Sequence, residues 1–519
     1  MSLASRIVVD RVPVHQLATG DELRALDPTE HNMERLNAQA RGSGRTYHTL
    51  LIEGPLSRAQ FEQALDALAS RHPLLRVRIV RSDDGALHYA PTRGDRDDGT
   101  ARVPVSYIKG GDLSAWPELV EADMNAGAIA SDAGPLFAFT VIEPPGLADG
   151  ASGKRLIVEM GHHGACDGVS SVALLHELLE QLAHPHASAK LEDRPLSDPF
   201  CLDLPVPELA EIETKARSLL DGRDARRREE LEALHTRLER LEQRLLAERD
   251  GDGRFPVALK TVHGLLSSLG AELLPAGRIV PEIDVGTGPD RYEQARTALL
   301  HRTLGVEPLR ALRRAAKERA LTLHGVFAAA MLIALAAERA AAQGPALPPE
   351  RLALASAVSL RKLLVPPISS HDLRMAVDIL VSRIPVEAGA RFWDLARRAG
   401  DDVKHAVASG RALSSYFRTV PRDFGDTPPG IAIPLLSNLG RVELKTQYGS
   451  LKLLEFSGAM ATHGSFQLAV LFVTFDERLS VSFYCETPTV SRAALERLAA
   501  RVLDALTRVA GGEEPVTPG

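Results

Sequence analysis

Apolar positions along the chain recur with two periods, one of strands and one of helices. Tyr47 to Ile52 reads as a strand, and Ser57-Arg58-Ala59-Gln60 has the form of a capping box. The helix it opens carries Phe61, Ala64, Leu65 and Leu68 on one face and stops at Pro73, after which Leu75 to Val80 reads as the next strand. Leu156, Ile157 and Val158 form a short apolar run suited to a buried strand, and Val172, Leu175, Leu178, Leu179 and Leu182 then recur at helical spacing. Between these two lies a tight loop with Gly161 and Gly164, closed by Asp167, which is placed to cap the helix.

The second half repeats the alternation. Ala295 to Leu304 reads as a strand, and Pro308 fits the first turn of a helix bearing Leu309, Leu312 and Ala316. Thr322 caps a helix in which Val326 to Leu335 is apolar all round, hence buried. Leu352 to Leu360 is a strand ending at Arg361, and Ile431 to Leu436 is a buried strand closing in a Ser437-Asn438-Leu439-Gly440 turn. Phe466 to Phe475 and Arg478 to Cys485 form a hairpin around Asp476-Glu477. A last helix, capped by Ser491, places Leu495, Leu498, Val502 and Leu506 on one face, and Gly511 to Gly519 is expected to be a disordered tail.

One stretch breaks the pattern. From Pro205 to about Gly253 the composition shifts to Glu, Arg, Leu and Ala, and Leu231, Leu234, Leu238, Leu241 and Leu245 have the spacing of a coiled-coil seam. With Asp221-Gly222 as a break, Pro207 to Leu220 and Asp224 to Glu248 predict a helical hairpin. Its leucines are expected to pack on each other or on the body; a dimer through 224–248 or a docking arm for a partner are the other readings.

Composition narrows the classes. With 45% apolar and 25% charged residues the 519-residue chain reads as globular, and 61 basic against 68 acidic residues, a net charge of -7, favour no nucleic acid. Cys166, Cys201 and Cys485 lie far apart, against a disulfide framework or a Cys-rich zinc site. The N-terminus lacks a signal-peptide core, and the apolar run from Val326 to Ala337 reads as too short to span a bilayer, so a cytoplasmic protein without a transmembrane segment is expected.

The candidate chemistry sits in Glu159-Met160-Gly161-His162-His163-Gly164-Ala165-Cys166-Asp167-Gly168, with both histidines at a strand end. An imidazole presented to a cavity suits general-base work, and Asp167, four residues after His163, can fold back to orient it. Ordinary loop histidines beside a helix cap account for the same residues.

His162-His163-Gly164-Ala165-Cys166-Asp167-Gly168 resembles the HHxxxDG signature of the chloramphenicol acetyltransferase-like superfamily at all seven positions. That group includes condensation domains, polyketide-associated acyltransferases such as phthiocerol dimycocerosyl transferase, wax ester synthases and the plant BAHD enzymes. Arg71-His72-Pro73-Leu74-Leu75-Arg76 resembles the RHxxLR string near the start of condensation domains, and Ala133-Gly134-Pro135-Leu136-Phe137 leads a strand toward the motif loop as in the family. The DFGWG string of the plant enzymes is missing, and the wax ester synthase pattern is only partly met, since Leu439 is not followed by Pro.

The resemblance implies an α/β fold of the α+β sandwich type, two chloramphenicol acetyltransferase-like lobes in a V-shaped pseudo-dimer, with the helical hairpin inserted. The lobes would be 1–204 and 276–510, with the insertion at 205–275 and the tail at 511–519. It implies that His163 is the catalytic base and that Asp167 is structural, fixing the His163 ring and pairing with an Arg, with His162 and Gly168 as supporting motif residues. Arg361 resembles the Arg after a second-lobe strand, so Asp167 or a donor phosphate is its expected partner, against the plain reading of a surface Arg beside Lys362. Ser437 and Asn438 would contact the tunnel between the lobes, and the Gly168 amide or Asn438 would meet an oxyanion.

The implied activity is acyl transfer from acyl-CoA or a separate phosphopantetheinyl carrier protein to a small hydroxyl or amine acceptor, with no bound cofactor and no metal. A noncatalytic carrier-docking relative, metal-dependent hydrolysis through His162, His163 and Asp167, and a Cys166 nucleophile are the rival readings.

Overall fold

A computed structural model describes residues 23–185, 207–221, 227–247, 294–343, 350–362, 368–409 and 433–518, apart from single positions within and between these spans. The first part of the chain runs β1 (Arg24–Ala25), α1 (Pro28–Gln39), β2 (Arg45–Pro55), α2 (Arg58–Arg71), β3 (Val77–Arg81), β4 (Leu87–Pro91), β5 (Val105–Lys109), α3 (Trp116–Met124), β6 (Phe137–Glu143), β7 (Ser152–His162) and α4 (Gly168–Ala183). The capping box at Ser57 is present, with the Ser57 hydroxyl accepting from the Gln60 amide. Pro73–Arg76 forms a 3₁₀ turn, so the strand predicted from Leu75 begins at Val77.

Then come α5 (Pro207–Asp221), α6 (Arg227–Ala247), β8 (Arg296–Leu304), α7 (Val306–Glu318), α8 (Leu323–Gln343), β9 (Glu350–Ser359), β10 (Val377–Val386), α9 (Phe392–Ser409), β11 (Leu435–Arg441), β12 (Gln447–Tyr448), β13 (Leu451–Met460), β14 (Leu468–Phe475), β15 (Arg478–Thr487) and α10 (Arg492–Ala510). Asp476 and Glu477 both take positive φ, as a two-residue hairpin turn matched to the strand twist requires.

Two six-stranded sheets carry the molecule, in the orders β12-β13-β2-β7-β6-β5 and β10-β9-β11-β14-β15-β8. The second sheet divides its side chains between two cores. Leu352, Leu354, Leu436, Val470, Phe472 and Phe483 pack with the helices α7 to α10, whereas Ala355, Leu435, Ala469, Leu471 and Tyr484 belong to the core of the first lobe. Burial on both faces explains why β14 is apolar without alternation. On the helix side Phe327 stacks on Phe472 with ring centroids 4.1 Å apart.

The two sheets do not divide the chain as its sequence suggests. β12 and β13 come from the second half, yet β13 pairs antiparallel with β2, Gly458 facing His48 in register. Residues 276–510 are therefore not a self-contained lobe. The expected disordered tail is also corrected over 511–518: the Phe392 amide donates to the Pro515 carbonyl at 3.1 Å, and Thr517 exchanges hydrogen bonds with Gly389 and Ala390. A segment with such backbone partners is ordered whatever its composition.

The helix α8 is long and apolar enough to cross a membrane by length and composition, longer than the run read from the sequence, and it is the buried centre of the second core. The hairpin predicted after Pro205 is formed by α5 and α6, antiparallel, with Arg244 on Glu208 at 2.7 Å and Arg237 on Glu211 at 3.0 Å. Leu231, Leu234, Leu238 and Leu241 are buried within the single chain. That covers the seam on which a dimer through 224–248 was expected to rest; the Leu245 side chain lies outside the described residues.

Candidate active site

The strand β7 ends at His162, so the motif loop leaves the sheet where β2 and β6 flank it. β6 starts beside the loop and runs away from it: the His162 amide donates to the Leu136 carbonyl at 2.9 Å. Asp167 then caps α4, its carboxylate accepting from the Ser170 amide at 2.8 Å.

The two histidines diverge. His162 is fully buried, its Nε2 lying 2.9 Å from the Glu34 carboxylate on α1 and its Nδ1 accepting from the Gly164 amide at 3.1 Å. His163 is half-buried, and its Nδ1 lies 2.8 Å from the Cys166 carbonyl oxygen. A carbonyl only accepts, so Nδ1 carries the proton and Nε2 keeps a bare lone pair. Burial lowers the His163 pKa; the Cys166 carbonyl and the Asp167 charge oppose this, and His162 and His48 add to it. The ring is therefore neutral at pH 7 and able to accept a proton.

The Asp167 carboxylate makes no hydrogen bond to the His163 ring it was expected to fix. Its Oδ2 accepts from Arg361 Nε and from the Ala376 amide, each at 3.1 Å, and its Oδ1 accepts from Arg361 Nη2 at 3.0 Å. Arg361 is buried and spends its remaining donors on the Ser369, Asp372 and Arg374 carbonyls. Arg361 is thus a fork on Asp167 rather than a surface residue or a free phosphate ligand. It joins the lobes directly beneath the motif loop.

The segment after it completes the clasp. Arg374 reaches back to Asp27 at the head of α1, at 2.9 Å, and His371 donates to Glu177 on α4 at 2.7 Å. Glu177 also takes His72 at 2.7 Å and Arg71 at 3.1 Å, which gives the RHxxLR string a structural task. Burial raises the Glu177 pKa, but the hydrogen bonds and charges of His72, His371 and Arg71 outweigh it and hold the group at about 2.

Gly168 and the second-lobe strand β11 meet closely: a Cβ on Gly168 would lie 2.4 Å from a Leu439 methyl, so a side chain here would push the Leu439 side chain aside. The predicted turn at 437–440 is instead part of β11, which bulges between Asn438 and Gly440, with Gly440 at φ 70°. Asn438 Oδ1 accepts from the Gly440 amide at 2.9 Å, so this side chain serves the bulge. Leu435 and Leu439 pack with the first lobe, which places Ser437 on their side of the strand and Asn438 off it. Asp167, Gly168 and Arg361 thus meet where the second lobe reaches the motif loop that carries His163; Ser437 is half-buried on β11, and the Asn438 side chain is engaged by its own bulge.

Cys166 is fully buried, its thiol 3.5 Å from the Thr46 hydroxyl, and burial and the Glu159 charge push its pKa far up. A nucleophile needs the thiolate, so the Cys166 reading is corrected: its carbonyl, not its sulfur, serves the site. Sequence reasoning missed Asp27, Glu34, Glu177 and Arg374, and it missed His48, whose ring lies 2.6 Å from Glu159 on the neighbouring strand. The only local signal was acidic residues, Glu30 and Glu34, one turn apart on α1.

Residues 298–484 match the family model described as phthiocerol/phthiodiolone dimycocerosyl transferase C-terminus. Among solved structures, the first condensation domain of the CDA synthetase aligns at 16% identity and TM-score 0.63, over 94% of this chain and 96% of that one. The chain has the chloramphenicol acetyltransferase-like fold of condensation domains. Polyketide synthase associated protein 5 from Mycobacterium tuberculosis shares this fold at 16% identity and TM-score 0.58, over 95% and 99% of the two chains. So does the starter condensation domain of rhizomide synthetase, a mutant in complex with C8-CoA and Leu-SNAC, at 14% identity and TM-score 0.58 over 94% of each. A search of curated sequences returns no match. Within this fold the family model spans most of β8 to β15 with α7 to α9, including β12 and β13 of the first sheet.

Proposed function

We propose that the chain is an acyltransferase in which His163 is the general base. The observation that carries this reading is the His163 ring itself: Nδ1 is held by the Cys166 carbonyl, and a neutral, bare Nε2 is left on the loop whose Asp167 and Gly168 meet the second lobe. His163 Nε2 takes the proton of an acceptor hydroxyl or amine as that group attacks a thioester carbonyl. The tetrahedral intermediate collapses by breaking the carbon–sulfur bond, and the departing thiolate takes the proton from His163. The Gly168 amide, first in α4 and without an intrahelical acceptor, is the donor for the oxyanion.

Ala357, Ile379, Val381 and Leu439 are half-buried apolar side chains of the second lobe packed against the first core, which suits an acyl chain. The complex of a similar domain with C8-CoA supports an acyl-CoA donor. The test is thiol release from acyl-CoAs of increasing length with mixed alcohol and amine acceptors, comparing wild type with His163→Ala. A loss of about 10²–10⁴-fold is expected, as for removal of a positioned base. Equal release in both proteins would overturn the reading; release in neither, with loaded carrier proteins failing too, would favour a docking role.

A further inference from the structure

The motif's first histidine makes a chain of hydrogen bonds whose direction is fixed at every link. Glu34 can only accept, so His162 Nε2 carries a proton toward it at 2.9 Å. The Gly164 amide can only donate, so His162 Nδ1 is a bare acceptor at 3.1 Å. The His162 carbonyl accepts from the Ala165 amide at 2.8 Å, which closes the turn, and the next residue presents the carbonyl that holds His163 Nδ1. Ring and turn are in contact, since a Cβ on Gly164 would lie 3.0 Å from His162 Nδ1.

Glu34 is itself held. The Ser131 hydroxyl donates to its other oxygen at 2.6 Å, and α1 is anchored at its head by Asp27, which accepts from the Thr29 and Glu30 amides and from Arg374 of the second lobe. Of the two ways a neutral imidazole can carry its proton, this arrangement admits one. The other tautomer, or the imidazolium, would set two N–H groups against each other at Gly164.

We infer that Glu34 is a positioning residue: by locking His162 in its Nε2–H tautomer it fixes the turn that aims the His163 base. The inference rests on the acyltransferase reading for its effect on turnover, but the locked tautomer does not. Tautomer and catalysis are therefore read separately. The nitrogen spectrum of ¹⁵N-histidine-labelled wild type, with His162 assigned by its loss in His162→Asn, should show a protonated Nε2 and a bare Nδ1; the reverse tautomer overturns the inference whatever the activity.

For turnover, Glu34→Ala should lower kcat by about 10–100-fold with KM little changed, as expected when a reacting group is misplaced without loss of contacts to substrate. Glu34→Gln, whose amide oxygen still accepts from Nε2–H, should recover most of that loss. His162→Asn places an acceptor where Nδ1 was and should outperform His162→Gln, which keeps only the Glu34 side. Equal damage in Glu34→Gln and Glu34→Ala, or a better His162→Gln, overturns the inference. A full-rate Glu34→Ala beside a dead His163→Ala also overturns it and leaves the His163 reading standing. Full turnover in His163→Ala removes that reading and leaves the spectrum to decide the tautomer.

Discussion

Arg361→Leu removes the guanidinium that joins the two halves of the site and leaves the fully buried Asp167 carboxylate to three donors, the Ser170 amide and hydroxyl and the Ala376 amide. Deleting one member of a buried pair typically costs about 3–5 kcal/mol, and with three donors surviving the lower end, about 3 kcal/mol, is expected. Asp167→Asn is the complementary change: Arg361 keeps the Ser369, Asp372 and Arg374 carbonyls, so its cost is similar. In the double variant no isolated ion remains, and it should be about as stable as either single variant. The two single costs then exceed the double by about 3 kcal/mol of coupling. Urea unfolding followed at Trp116 on α3 and Trp393 on α9 gives one probe in each lobe. Since the pair ties the lobes, the two probes should coincide in wild type and separate in the single variants. Costs below about 1 kcal/mol, or a double variant that sums the singles, would refute a desolvated interlobe fork.

Four further outcomes are expected. Because burial holds the His163 pKa below the ordinary 6.5 and the base works deprotonated, kcat/KM should be level through neutral pH and fall only below 6.5; an acidic limb above that value contradicts the assignment. Burial puts His301 and His324 at about 4, so between pH 6.5 and 4 the unfolded chain binds protons that the folded chain does not. Stability should drop by roughly 3 kcal/mol per histidine across that window, and His324→Gln should flatten the slope in pH-dependent unfolding. Cys166→Ala keeps the backbone carbonyl that holds His163, so turnover should fall no more than a few-fold, and a thiol reagent should leave the native protein active; inactivation through Cys166 would revive the covalent reading. Truncation after Gly512 removes the Pro515 and Thr517 hydrogen bonds to the turn before α9, at about 1 kcal/mol each, and should lower Tm measurably.

What was legible in the sequence is what local chemistry decides. Ser57, Asp167 and Ser491 each cap a helix by bonding an amide three residues on, and the Asp476-Glu477 turn joins the strands that flank it. Those signals need nothing beyond a few neighbours. Where the same residue type serves two local structures the reading failed: Asn438 and Gly440 suit a turn, yet they build a bulge inside a strand that pairs with β14 before and after it and with β9 at Leu435 and Leu436. The tail failed for a related reason, since Gly, Pro and Thr say nothing about whether a distant turn offers free amides and carbonyls.

The site itself shows why motif and structure must be read together. The histidines and Asp167 come from one loop, but the groups that give them their roles come from elsewhere in the chain: Glu34 lies 128 residues before His162, and Arg361 lies 194 residues after Asp167. Isolated charges such as Asp27, Glu34 and Arg374 look like surface residues in sequence, because only burial distinguishes a solvated carboxylate from one that must find a partner. Three of the five hydrogen bonds to the Asp167 carboxylate cross to the second lobe or its loop, so the motif loop is shaped by a surface the first lobe does not possess. The strand β13, drawn from the second half into the first sheet beside β2, extends that dependence to the backbone hydrogen bonds of the sheet. A base aimed at the joint of two lobes is thereby held by both, and its geometry responds to the packing of either.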